Sequence, residues 1–260
     1  MNRYIKIWWM LAVSAFQDAF SSRLSVVILV VGKLLRFALF FFFLVLIGAK
    51  TKLIAGYSLN HIIFFFFTYQ LLDTLPQLFL REVYRFRSYV VSGDFDYFLV
   101  KPISPLFRAL FGGSDVLDIP MTIISVIALI ITAMHIGNIS VVGIIVYIIL
   151  VTNAFLIAVS LHILVLAIGV VSTEVDNAIM LYRDLTQMGR VPVDIYKEPL
   201  RGLITFVIPV GIMMTFPAKA LLGVLSWEFV VLSVGIGLGL FYVCLHIWRY
   251  ALRHYGSASS

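Results

Sequence analysis

Hydrophobic residues fall in long runs separated by short polar stretches. Residues 1–23 come first and differ from the rest. Ile5, Trp8, Trp9, Ala12, Phe16 and Phe20 recur at near-helical spacing, while Lys6, Gln17, Asp18 and Ser21 fall mainly elsewhere. This predicts an amphipathic helix lying in the headgroup region, anchored by Trp8 and Trp9. The rival reading is a signal peptide, since Arg3 and Lys6 precede Ile7–Phe16, but no convincing small-x-small cleavage site precedes the next apolar run.

Six apolar runs follow, at about Leu24–Gly48, His61–Leu80, Val116–Ile136, Ile139–Val171, Leu203–Val224 and Phe229–Trp248. Each is long enough to cross a hydrocarbon core about 30 Å thick, which takes about 20 residues of helix. All six are expected to be helical, because lipid offers no partner to an open strand edge or loop. The fourth run, 33 residues, would be about 50 Å long as one helix. It must tilt, project into the cytoplasm, or contain the start of another membrane segment.

Composition agrees with an all-α polytopic integral membrane protein forming a single transmembrane domain. The 260 residues are 62% hydrophobic and 12% charged, with a mean hydropathy of +1.07. A soluble domain is typically about 25% charged. The 19 Lys and Arg against 13 Asp and Glu sit between apolar runs rather than along one face, which argues against nucleic acid. With the N-terminus inside, fourteen Lys and Arg fall in inner segments and three (Lys50, Lys52, Lys219) in outer loops. Lys33 and Arg36 lie within the first run. The asymmetry predicts a multi-pass protein of the cell membrane, a bacterial inner or plasma membrane, with both termini cytoplasmic.

Two polar regions stand out. Arg81–Asp115 mixes acids, bases, aromatics and prolines. Glu82 lies at near-turn spacing from Arg85 and Arg87, Gly93 is expected to break the helix, and Asp94-Phe95-Asp96 to cap the next. Lys101-Pro102 and Ser104-Pro105 impose extended or turn geometry. The second region, Ser172–Leu222, holds Pro192, Pro199, Pro209 and Pro217. Pro209 and Pro217 interrupt an apolar run, so a broken or re-entrant helix is expected over about 189–222.

No catalytic constellation is present. Gly32-Lys33-Leu34 lacks the upstream glycine and the Ser/Thr of a phosphate-binding loop. No Gly-x-Ser-x-Gly or His-Glu-x-x-His occurs. Five scattered histidines and the single Cys244 give neither metal-ligand spacing nor an intrachain disulfide. The sequon at Asn138 lies too close to the bilayer for a glycan. Buried charge is the remaining candidate: Lys33 and Arg36 share a helix face, and Asp73 on the next span lies at matching depth. An Asp73 pair with Lys33 or Arg36 is expected to tie the first two spans; lining a conduit and snorkelling are the other readings. Phe40–Phe43 and Phe64–Phe67 cover every helix face, as lipid contact and packing require. Gly235, Gly237 and Gly239 hint at close helix approach.

The order of these features resembles the permease subunit of a type-2 ABC exporter, in its small six-span subfamily. The carrying residues are Gly93-Asp94-Phe95-Asp96…Leu99…Lys101-Pro102…Pro105-Leu106 and Gly189-Arg190-Val191-Pro192…Pro199-Leu200-Arg201-Gly202-Leu203…Ile208-Pro209. The resemblance covers essentially the whole chain. It implies no cofactor on this chain, ATP and magnesium on a separate ATP-binding subunit, and a second permease subunit, identical or related. It implies that about Arg81–Arg108 is the coupling segment, with Arg85, Arg87, Asp94, Asp96, Lys101 and Pro102 as contacts and Phe95 as a plug. The proline-rich stretch would be an outer gate, and part of Val165–Arg190 a fifth span despite Glu174, Asp176, Arg183 and Asp184. That topology conflicts with a fully crossing Leu203–Val224. Its charge count, ten inside and six outside with three in spans, stays positive-inside. The function expected is ATP-driven export of a hydrophobic or amphipathic solute. A stand-alone secondary transporter or channel is the alternative, although the halves show no repeat. A membrane scaffold would not need the break near Pro209.

Overall fold

The computed structural model describes residues 3–51, 53, 55–137, 139–172 and 175–256. Among them all regular structure is helical. Helix α1 (Arg3–Phe20) turns at Ser21–Ser22 into α2 (Arg23–Lys50), and α3 (Leu59–Leu80) returns beside it. Ser58 caps α3, its hydroxyl accepting from the His61 N–H. At Arg81 the helix tightens into a 3₁₀ turn and gives way to three short helices: α4 (Phe86–Val91), α5 (Phe95–Val100) and α6 (Pro105–Phe111). We call the end of the bundle that carries them the proximal end. Helix α7 (Ile119–Ile136) runs away from it and α8 (Val141–Ser172) runs back. The 32 residues of α8 form one unbroken helix, about 48 Å long. After α9 (Val175–Gln187), α10 (Leu200–Gly202) and α11 (Phe216–Leu221), the last helix α12 (Trp227–Arg253) ends proximally, as α1 does.

Five helical stretches are long and apolar enough to cross a membrane: Arg23–Lys50, Leu59–Val91, Val116–Ile136, Val141–Ser172 and Trp227–Arg253. A further traverse is invisible to hydropathy. Val175 lies against Gly169 near the proximal end of α8. Tyr182 then stacks edge-on to His162, ring centroids 4.7 Å apart. Gly189 backs onto Val210 and Met214, and Arg190 Nε donates to the Tyr69 hydroxyl at 3.4 Å. Asp194 meets Tyr57, just before α3 begins, at 3.1 Å. The backbone from Val175 to Asp194 therefore runs the length of the bundle. Its polarity explains why no apolar run marks it; Arg183 and Arg190 face a cavity rather than lipid. Glu174 and Asn138 lie outside the described residues.

The apolar run Leu203–Val224 does not cross. Helix α10 continues as a π-helical turn (Leu203–Val207), the chain bends by 81°, and a second π-helical stretch (Gly211–Thr215) runs into α11. Both ends lie at the distal rim: Lys219 pairs with Asp194 at 2.7 Å, and Leu221 O sits over Gly143 at the start of α8. The bend is the deepest part. Val210, Ile212, Met213 and Met214 are each 1% exposed. Pro209 sits at the bend because it has no N–H to continue the ladder. Pro217 does not bend the chain, contrary to expectation: the helix already under way continues through it, and the widened π-helical turn Gly211–Thr215 directly before it accommodates the missing N–H.

Two packing expectations change. Phe64–Phe67 are all buried, at 1%, 2%, 2% and 7% exposure, so this run touches protein on every side and not lipid. Phe37, Phe40 and Phe41 of α2 close over it. Of the three α12 glycines only Gly237 makes a close approach, to Asn153 on α8; a side chain at Gly235 or Gly239 would meet nothing. Asn153 Nδ2 donates to the Ser233 carbonyl at 2.9 Å, joining the two helices at the same level. Pro76, inside α3 and buried, attracted no notice in the sequence.

Candidate functional site

A cavity of about 450 Å³ opens between α2, α3 and the α9 traverse. It holds all three residues of the expected buried charge group, but wired differently. Lys33 does not reach Asp73. Its Nζ lies 2.8 Å from Asp118 Oδ1 and 3.2 Å from Asp115 Oδ2. Both acids flank the turn that starts α7, and their distance in sequence hid them from a depth argument confined to the first two spans. Arg81 adds a longer contact to Asp115 at 3.7 Å. Asp73 is left to Arg36, at 4.0 Å, the limit of an ion pair. Arg183 and Arg190 also line the wall, and no carboxylate among the described residues pairs with either. Arg190 lies 5.5 Å over the Phe40 ring. Five cations thus face three carboxylates.

The proximal knob, α4 to α6, is built around charge and aromatic packing. Glu82, 2% exposed, pairs with Arg108 at 2.6 Å and accepts from the Tyr89 hydroxyl at 2.9 Å. It does not pair with Arg85 or Arg87, whose side chains point outward; Arg87 instead meets Asp176 at 3.1 Å in an exposed contact. Gly93 turns the chain at φ +79°, a conformation that suits glycine. Asp94 precedes α5 without a side-chain capping bond, because its carboxylate accepts from the Ser92 hydroxyl at 2.7 Å.

Phe95 is fully buried. It packs edge-on against Phe86, Trp248 and Tyr255, so it seats the knob on the ends of α4 and α12 and is closed to any partner. The outward tip consists of other residues. Val100 is 79% and Tyr97 63% exposed, beside exposed Asp94, Lys101 and Pro102; Asp96 is half-buried. The alternation of buried Phe95 and Phe98 with exposed Tyr97, Leu99 and Val100 follows the turn of α5.

At the distal rim, Pro192 introduces the turn Val193–Ile195, and the Val193 N–H donates to Thr215 Oγ1 at 3.2 Å. Pro199 immediately precedes α10. Arg201 beside Glu198, with the Gly202 N–H, holds that exposed carboxyl below its ordinary range. Burial, reinforced by Asp194, pushes the Tyr57 phenol above its ordinary value. Of the four prolines, only Pro209 marks the bend.

Six traverses with both described termini proximal, a helical knob at one end and a bent pair at the other define a polytopic helical membrane protein. The family described as ABC-2 family transporter protein matches residues 34–259. The chain belongs to that family. No curated protein and no solved structure matches it.

Proposed function

We propose that the chain is the permease subunit of an ATP-driven exporter that moves a hydrophobic or amphipathic solute. A separate ATP-binding subunit supplies the energy, using its own ATP and magnesium, and a second permease, identical or related, completes the conduit. The observation that carries this reading is the knob. Glu82–Arg108 and the aromatic cluster around Phe95 make it one stiff body joined to the ends of α3, α8 and α12. Its exposed tip, Tyr97 to Pro102, offers apolar and charged contact to another protein. A stiff lever fixed to three helices turns a partner's rigid-body motion into motion of the bundle. In this reading the proximal end is cytoplasmic, α1 lies in the inner headgroup region, and the bent pair closes the conduit on the outer side. Lipid covers the exposed apolar faces of α7 and α12.

The test is purification of the tagged full chain from its native membrane. An ATP-binding subunit that co-purifies, with ATPase activity that reconstitution with the permease stimulates, is the expected result. Solute flux by the chain alone in proteoliposomes would overturn it in favour of a stand-alone transporter, as would a tip found on the exterior by labelling at Val100→Cys.

A further inference from the structure

We infer that the cavity between α2, α3 and α9 binds the anionic headgroup, phosphate or carboxylate, of an amphipathic solute. Arg183 and Arg190 are the receiving groups. The inference rests on the permease reading for the word solute, and on the cavity's own chemistry for the binding.

The charge wiring carries it. Lys33 holds Asp115 and Asp118, Arg81 leans on Asp115, and Arg36 reaches Asp73. All three carboxylates are therefore engaged by three cations, and two guanidiniums remain. Arg190 has a phenol and an aromatic face for company, and neither neutralises it. Arg183 has no ion-pair partner among the described residues. Asp73 acts on both guanidiniums through space but lies within ion-pair distance of Arg36 alone, and two cations sharing one distant, already engaged carboxylate at membrane depth are costly. A phosphate or carboxylate offers guanidinium forks paired, charge-assisted hydrogen bonds.

The wall toward α2 explains why the anion should be a headgroup. Ile28 and Leu29 line the cavity and are 61% and 53% exposed on the outer surface of the bundle. Gly32 beside them presents no side chain, and a Cβ there would meet nothing within 4 Å. The cavity thus opens sideways through an apolar, low-walled gap at the depth of its charges. A headgroup can enter while its chain stays against α2. A cavity of about 450 Å³ accommodates a headgroup and a short length of chain and leaves a long chain outside.

The experiment uses the full chain in a neutral detergent and measures binding of dodecyl phosphate, dodecylphosphocholine and inorganic phosphate by titration calorimetry. Dodecyl phosphate is expected to bind at least about tenfold tighter than dodecylphosphocholine, with inorganic phosphate weaker than both. R183Q/R190Q should erase that preference, and R183K/R190K should retain part of it. Equal affinity of the two dodecyl compounds for the unmodified chain overturns the inference without reliance on any variant. Inorganic phosphate binding as tightly as dodecyl phosphate overturns the headgroup assignment in favour of a free anion. Loss of permease pairing in R183Q/R190Q, with no headgroup preference in the parent chain, would assign the two arginines to carboxylates of a second copy and overturn it too. No ATP-binding subunit takes part. A failed preference therefore leaves the permease reading standing, and a missing ATPase partner leaves this binding intact.

Discussion

Glu82 and Arg108, 26 positions apart, meet at 2.6 Å with Glu82 2% exposed. The pair locks the turn after α3 to α6, and Arg108 also lies 4.8 Å over the Phe98 ring. Gly112 and Gly113 follow α6 with no side chain because Arg108 and Glu82 occupy that space. Removing Arg108 leaves a buried uncompensated carboxylate, a loss of about 3–5 kcal/mol. R108A should lower the unfolding temperature in detergent far more than R87A, whose partner Asp176 is exposed. Equal shifts would show that the clamp contributes nothing special.

Lys33 and Arg36 share a helix face yet should respond unequally. Lys33 serves two carboxylates at short distance, whereas Arg36 is 55% exposed and touches one at 4.0 Å. K33M strands Asp118, leaves Asp115 only the longer contact to Arg81, and should cost about 3–5 kcal/mol. R36Q should cost at most about 1 kcal/mol. Chemical denaturation of the two variants checks the order.

Gly237 separates from its neighbours in the same way. A methyl there would overlap Asn153 Oδ1, so G237A must displace α8 or break the Asn153–Ser233 bond. G235A and G239A meet open space and gain up to about 1 kcal/mol of helix propensity. Thermal scans should show one variant falling and two unchanged or rising.

If the knob docks the ATP-binding subunit as proposed, seating and docking belong to different residues. F95A empties a fully buried ring site and should cost about 3–5 kcal/mol. V100D puts a charge on a residue 79% exposed and should leave the unfolding temperature unchanged while abolishing co-purification of the ATP-binding subunit. A V100D chain that still captures the subunit would remove the tip from the interface.

Much of this architecture was legible in the residues, and the exceptions share a cause. The five long helices appear as apolar runs within a few residues of their ends, because lipid demands about 20 consecutive apolar positions. The α9 traverse does not, since its wall faces a polar cavity and obeys no such demand. Lys33 and Asp73 were matched by depth along neighbouring spans. That argument cannot see Asp118, 85 positions away, which reaches Lys33 only because α7 packs beside α3. Phe95 sits in a motif that looks outward-facing in sequence, but which face of α5 turns inward depends on Trp248 and Tyr255 at the far end of the chain. Pro209 and Pro217 look equivalent in the sequence. One lies at the bend between two helical stretches, and the other lies in a continuous helix whose widened preceding turn accommodates it.

The bent pair returns to the rim from which it starts, anchored near Glu198 at one foot and Leu221 at the other. A loop tethered this way can lift or sink by a few ångströms while every long helix keeps its register with the bilayer. Its apex is lined by methionine and aliphatic side chains, and the Val193–Thr215 hydrogen bond is the polar tie such a movement would have to stretch. In the export reading proposed above, the turn at Pro209 would be a cork hinged at the lip, unable to fall through because both feet of the pair stay at the rim.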